Sequence, residues 1–220
     1  MSKREIKVYS DLSGANAVWA DKIRKLREEK GIVMLNLIGS PGCGKTTLLE
    51  KTVESLTAKQ RFAVLEGDIA TTRDAERLHK LGVMVSQLVT KGACHLSAKL
   101  VHKAFVDLPL DELDMVIVEN VGNLVCPAGM DIGETAKVAV LSVAEGEDKP
   151  AKYPRLFREA KGVVITKTDL LPYVSFNMEA CLDDIKQING TIPVIKVSAK
   201  DGSGMGEWVK FLTSFSKNQH

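Results

Sequence analysis

Gly39-Ser40-Pro41-Gly42-Cys43-Gly44-Lys45-Thr46 matches the spacing G-x-x-x-x-G-K-[ST] at every fixed position. Glycines at that spacing let the backbone curl so that successive N–H groups point inward at phosphate oxygens. Lys45 is expected to reach the β- and γ-phosphates, and the Thr46 hydroxyl to ligate Mg²⁺. Thr47 completes the nucleotide-facing start of the following helix, whose positive dipole end adds to the attraction. Gly39, Gly42, Cys43, Gly44, Lys45, Thr46 and Thr47 are therefore the phosphate-side candidates. The loop alone points to a nucleoside triphosphate and does not separate a kinase from a switch protein.

Later segments address the base. Thr166-Lys167-Thr168-Asp169 and Ser198-Ala199-Lys200 resemble, in order, the N-K-x-D and S-A-K elements of GTPases. A carboxylate at Asp169 can accept from N1–H and N2–H₂ of guanine, a donor pair that adenine lacks. The Lys167 stem can lie over the base, and the Ala199 N–H can meet the guanine O6. Thr166 stands where the pattern has Asn, which predicts loss of an amide that braces the loop and weaker guanine binding. Glu66-Gly-Asp68 and Glu119-Asn-Val-Gly122 each follow an apolar run, the second resembling a D-x-x-G switch with Glu for Asp. Asp68 and Glu119 are assigned to Mg²⁺, with Thr46 as a further oxygen. Asn123 follows Gly122 where a water-positioning Gln would help, and no arginine stands out as a finger, so slow hydrolysis is expected.

The cysteines offer a second chemistry. Gly92-Ala-Cys94-His95 is read as opening a helix, and Cys126 lies seven residues after Glu119. Two thiolates with an imidazole suit Zn²⁺ or Ni²⁺, and the soft thiolates also Cu⁺. A cysteine at a helix N-terminus is expected to ionise readily. Buried, inert cysteines are the alternative. Cys126 hangs on the end of the switch strand, so nucleotide state could move it.

The elements that must hold these residues follow from patterning. The apolar runs Ile32–Ile38, Phe62–Leu65, Val83–Val89, Met115–Val118, Val138–Val143, Val163–Ile165 and Val194–Val197 read as strands, several buried on both faces. Helical stretches at Thr46–Thr57, Arg73–Leu81, Ala93–Val106, Asn177–Ile188 and Met205–Ser216 fill the gaps. This alternation predicts a three-layer α/β/α fold around a mostly parallel sheet with a P-loop. Residues 1–30 read as an N-terminal arm, with Leu12, Ala15, Val18, Trp19, Ile23 and Leu26 at helical spacing and Gly31 as the stop. That helix either lies on its own domain or exchanges with a partner chain. Residues 31–220 are the nucleotide-binding (G) domain. The charged, proline-bearing stretch Glu145–Pro154 is expected to be a mobile surface loop.

Composition excludes several classes. Of the 220 residues, 45% are apolar and 26% charged, which sets disorder and coiled coil aside. A net charge of +2 argues against nucleic acid held by bulk charge. Without an apolar run of about eighteen residues, no membrane span is expected. No apolar region follows Met-Ser-Lys-Arg-Glu, which predicts no signal peptide and a cytoplasmic protein. Cys181 reads as core, and Cys43 as a space-filler that oxidation could reach. His102 is placed on one helix face with His95, either as an extra ligand or as a solvated surface residue; His79 and the terminal His220 carry no ligand reading. Trp19 and Trp208 read as packing residues.

The Gly-Ala-Cys94-His95-Leu string, Glu119-Asn-Val-Gly-Asn-Leu-Val-Cys126-Pro, the phosphate loop and Glu66-Gly-Asp68 together resemble the HypB family. The resemblance runs from about Asp21 to the C-terminus. The urease-type relative carries Cys-Pro-His, where this chain has Cys-Pro-Ala. The resemblance implies a P-loop GTPase of the SIMIBI class that dimerises with GTP. It implies a role in inserting nickel into [NiFe]-hydrogenase, with the hydrogenase large subunit and another maturation protein as partners. It also implies metal at the dimer interface, held by Cys94, His95 and Cys126 of both chains. Some members add an N-terminal cysteine cluster or histidine tract; the arm here has no Cys or His, leaving the G-domain site as the candidate. Two other readings stand beside this one: a P-loop small-molecule kinase, and a GTP-binding regulatory module with a structural zinc.

Overall fold

The structure is a computed structural model that describes residues 7–10, 16–56, 61–68 and 73–217. In chain order the elements are β1 (Lys7–Ser10), α1 (Asn16–Glu29), β2 (Val33–Gly39), α2 (Lys45–Ser55), β3 (Phe62–Asp68), α3 (Arg73–Lys80), β4 (Met84–Val89) and α4 (Ala98–Val106). They continue with β5 (Met115–Glu119), β6 (Ala136–Ser142), α5 (Lys149–Lys152), α6 (Pro154–Glu159), β7 (Gly162–Thr166), α7 (Met178–Ile188), β8 (Val194–Lys196) and α8 (Met205–Lys217). The strands form one eight-stranded sheet, ordered β1-β4-β3-β5-β2-β6-β7-β8, in which every pairing is parallel.

Side-chain alternation along the strands sorts the helices into two layers. Val33, Leu35 and Leu37 of β2 face a cluster with Leu48 and Leu49 of α2, Leu78 of α3 and Trp208 and Leu212 of α8. Met34 faces the other way, onto Ala20 and Ile23 of α1 and Val101 and Phe105 of α4. Ile38 shares that opposite side with Leu156 and Phe157 of α6 and Ile185 of α7. Both faces are covered, which is why the strand runs are apolar at nearly every position. Trp208 is fully buried and its indole N–H donates to Thr52 Oγ1 at 2.8 Å, so its polar handle is satisfied within the core.

Three expectations need correction, and some residues they named lie outside the described ones. The arm contains a strand as well as a helix: β1 pairs in parallel with β4 and covers its otherwise open edge. Four residues are too few to show periodicity. α1 begins at Asn16, and the expected positions Leu12 and Ala15 lie outside the described residues, as do Thr57 and His220. α4 begins at Ala98 rather than Ala93, because Ser97 caps it by accepting from Leu100 N–H. Upstream, Lys91 at φ 52° and Gly92 at φ 97° hold a turn that no helix can absorb. The stretch Glu145–Pro154 is ordered: Ser142 and Glu145 form a capping box, and Pro150 and Pro154 sit in the first turns of α5 and α6. α1 lies on its own chain, where Arg27 donates to Gly133 O at 2.8 Å and Arg24 pairs with Asp131 at 2.7 Å.

Candidate functional site

The phosphate loop joins β2, at the centre of the sheet, to α2. Gly44 precedes the helix at φ 94°, a left-handed conformation that side chains disfavour. Lys45 is buried, and its Nζ donates to the carbonyls of Gly39 and Ser40 at 3.1 Å each. The Thr46 hydroxyl donates to Glu119 Oε1 at 2.7 Å. Glu119 ends β5 and Asp68 ends β3, so both acids emerge at strand C-termini beside the loop. They line a cleft of about 360 Å³ together with Glu66, Asp74 and Arg77.

Glu66 of β3 and Glu119 of β5 are register partners across the ladder. Each has a buried Oε2 without a hydrogen-bond partner. Burial pushes the Glu119 carboxyl up to about 7, against the opposing pull of Lys45 and Thr46. Burial and the neighbouring Glu119, Asp68 and Asp74 push Glu66 up to about 9. Orphaned buried carboxylate oxygens beside a phosphate loop fit a divalent cation, which would remove both penalties.

The base-side loops are braced against the phosphate loop. The Thr166 hydroxyl donates to Cys43 O at 2.5 Å and to Leu141 O at 3.4 Å. Thr166 thus braces the two loops through its hydroxyl, although it lacks the amide that the pattern has here. Lys167, at φ 58°, extends its ammonium to Gly42 O at 2.7 Å. Asp169 is oriented by the Ser198 hydroxyl, which donates to its Oδ1 at 2.9 Å. Thr168 N–H donates to Val197 O at 3.2 Å, tying this loop to the one that carries Ser198, Ala199 and Lys200.

Cys94, His95 and Cys126 converge. Their ligating atoms all lie within 4.8 Å of one another, and Cys94 Sγ is 3.6 Å from His95 Nδ1. Thiolates sharing a tetrahedral ion sit about 3.8 Å apart, so the set needs little contraction to close. Among the described residues this is the only such group of three or more His, Cys, Asp or Glu. The placement corrects two expectations. Cys94 and His95 stand on a loop before α4 and do not open a helix, so their side chains are free of helical spacing. Nor is the Cys94 thiol favoured to ionise: its hydrogen bond with Cys126 raises its pKa above the ordinary thiol value. His102, on α4, packs edge-on to Trp19 at 5.0 Å and shares no face with His95. Cys181 is fully buried. Cys43 is also fully buried, with its thiol pushed up to about 11, which argues against easy oxidation.

Sequence reasoning missed Glu66, Asp74 and Arg77 as cleft residues. Arg77 is committed to Glu50 at 2.7 Å and Asp74 at 2.9 Å. Its place in a charged helix gave no signal. Asn36 and Asn120 were also missed. Asn36, a lone polar residue inside a run buried on both faces, is the signal that could have found them: it accepts from Asn120 Nδ2 at 3.0 Å.

Comparison with known proteins identifies the family and agrees with the fold. The family model described as "CobW/HypB/UreG, nucleotide-binding domain" matches residues 33–196. Hydrogenase maturation factor HypB of Azotobacter chroococcum is 46% identical over 209 residues, which is 95% of this chain and 68% of that protein. The crystal structure of HypB from Helicobacter pylori in complex with nickel superposes with a TM-score of 0.88 at 36% identity, covering 92% of this chain and 95% of that one. HypB from Archaeoglobus fulgidus gives a TM-score of 0.85 at 34% identity over 91% and 98% of the two chains. The chain belongs to the CobW/HypB/UreG family of nucleotide-binding domains, and within it to HypB.

Proposed function

We propose that this protein is a GTP-hydrolysing metallochaperone that carries nickel, or zinc, at Cys94, His95 and Cys126 and assists nickel insertion during [NiFe]-hydrogenase maturation. The observation that carries the reading is the convergence of those three side chains on the segment that leaves the phosphate cleft at Glu119. Gly39, Gly42, Cys43, Gly44, Lys45, Thr46 and Thr47 would bind the phosphates. Lys167, Asp169, Ser198, Ala199 and Lys200 would bind guanine, with Asp169 discriminating against adenine. Thr46, Asp68 and Glu119 would hold Mg²⁺, which when bound neutralises charge on the β- and γ-phosphates. Asn123 cannot act as the water-positioning Gln of faster switches, so slow turnover is expected.

Residues 1–30 serve as an arm on the 31–220 G domain in this reading, and GTP favours a cytoplasmic homodimer. Three protein ligands leave a tetrahedral ion open to a fourth. A second copy of the same site is one source of it, and a recipient's donor is another. The partners are a hydrogenase maturation protein and the hydrogenase large subunit, a role supported by the names of the relatives. Nucleic acid is not a partner, given the net charge of +2, and no described helix is long and apolar enough to cross a membrane.

The test is nickel stoichiometry and affinity with GDP and then with a non-hydrolysable GTP analogue, with Cys94→Ala as control. Tighter binding with the analogue, lost in the variant, is expected. Nickel binding indifferent to nucleotide would leave a guanine-nucleotide switch with structural cysteines.

A further inference from the structure

The strand-end segment after Glu119 touches both sites. On the nucleotide side, Gly122 lies so close to the phosphate loop that a Cβ there would come 2.7 Å from Pro41. On the metal side, two asparagines hold the ligand loop. Asn120 Oδ1 accepts from Leu96 N–H at 3.3 Å, next to His95. Asn123 Nδ2 donates to the carbonyl of Cys94 at 3.3 Å. Leu96 is fully buried, and its side chain packs over Gly67, where a Cβ would meet it at 2.8 Å. The ligand loop is thus fastened at residues 94 and 96, and both fastenings lead to the segment that carries Glu119 and Gly122.

The amide of Asn120 can sit only one way round. Its oxygen faces two backbone donors, Leu96 N–H and Val121 N–H, the latter at 3.0 Å. Its nitrogen donates to Asn36 Oδ1, and Asn36 Nδ2 donates in turn to the Glu134 carboxylate at 3.3 Å. A chain that begins on backbone N–H groups and ends on a carboxylate fixes every amide along it. Asn120 is therefore a rigid link rather than a pivot, and a shift of residues 119–122 must carry the Leu96 backbone with it.

We propose that Asn120 and Asn123 are positioning residues that clasp the Cys94–Leu96 loop to the nucleotide-side segment and so transmit nucleotide state to nickel affinity. The inference rests on the nickel-carrying reading above. It assigns the coupling to two side chains whose hydrogen bonds run to Asn36, to Leu96 N–H and to the Cys94 carbonyl, with Gly122 as the contact on the phosphate loop. Without the clasps, both sites persist and the communication is lost.

The experiment titrates the full chain with nickel sulfate in GDP and in a non-hydrolysable GTP analogue, following the near-ultraviolet thiolate-to-nickel absorption. Wild type is expected to show a dissociation-constant ratio between the two states of at least about fivefold, and Asn123→Ala a ratio below about twofold with the absorption band retained. Asn120→Asp keeps the volume but loses the donor to Asn36, and is expected to lower the ratio in the same direction. GDP affinity of Asn123→Ala, measured without metal, is expected to match wild type and reports that the fold is intact. If the asparagines only support the loop, nickel affinity falls equally in both nucleotide states and the ratio stays at the wild-type value, which overturns the inference. A wild-type ratio of one instead overturns the nickel-carrying reading, and the clasp falls with it.

Discussion

At the scale of single residues, the cleft is governed by how its carboxylates share a small buried space. Glu119 accepts from Thr46 and stands across the ladder from Glu66. Glu119→Ala is expected to lower GTP turnover by about 10–100-fold while sparing most nucleotide affinity, because Lys45 and the loop N–H groups still hold the phosphates. Steady-state turnover beside GDP binding checks this, and undiminished turnover would remove Glu119 from the chemistry. Glu66 makes a separate prediction about stability. Its carboxyl is pushed up to about 9 in the fold and titrates near the ordinary value when unfolded. Between those values the native state binds the extra proton, so stability falls as pH rises, by at most about 1.4 kcal/mol per pH unit from this group. In nucleotide-free, Mg²⁺-free protein, Glu66→Gln is expected to melt higher than wild type at pH 8 and to show a flatter melting-temperature profile from pH 6 to 9. Identical profiles for the two proteins would show that the native Glu66 pays no such cost.

At the scale of elements, the N-terminal helix is held by the loop before β6. Gly133 has φ 79°, and a Cβ there would come 2.6 Å from Ala20 O in α1. Its carbonyl accepts from Arg27, and its amide donates to Asp131 at 2.8 Å. Gly133→Ala therefore both strains the backbone and pushes α1 away from this loop. A loss of about 1–3 kcal/mol is expected, read as a lower denaturant midpoint and faster proteolysis within residues 16–29. Unchanged proteolysis in that helix would mean α1 is docked by its apolar face alone. The same loop supplies Glu134, the last member of the Asn120–Asn36 amide chain.

At the scale of the whole molecule, two candidate sites lie at the C-terminal ends of the central strands. The strand order places β2 between β5 and β6, so the phosphate loop opens beside the strand whose exit carries Cys126. The Cys94 thiol, hydrogen-bonded with Cys126, keeps its proton to higher pH than an ordinary thiol. Nickel binding must displace that proton, so affinity is expected to rise with pH from mildly acidic through neutral solution. Competition titrations at pH 6, 7 and 8 read it, and a flat profile would count against thiolate ligation. Cys94→Ala is expected to flatten the profile as well as weaken binding.

Local chemistry made most of this legible from sequence. The phosphate loop and the strand runs depend on short spacings and on burial patterns that repeat along the chain, so they can be read from the residues alone. The Glu119-to-Cys126 string was likewise readable, because its residues follow one another. What sequence could not reach were relations between distant segments. It did not bring Cys94 and His95 off a helix, because a cap at Ser97 and a left-handed turn at Lys91 compete with an apolar period that alone favours helix. It did not pair Glu66 with Glu119, which depends on the register of β3 against β5. It did not foresee the brace at Thr166, whose hydroxyl finds a carbonyl 123 positions away in the chain. Side-chain type and spacing determine which chemistry is available; only the sheet's strand order and register decide which of those groups meet.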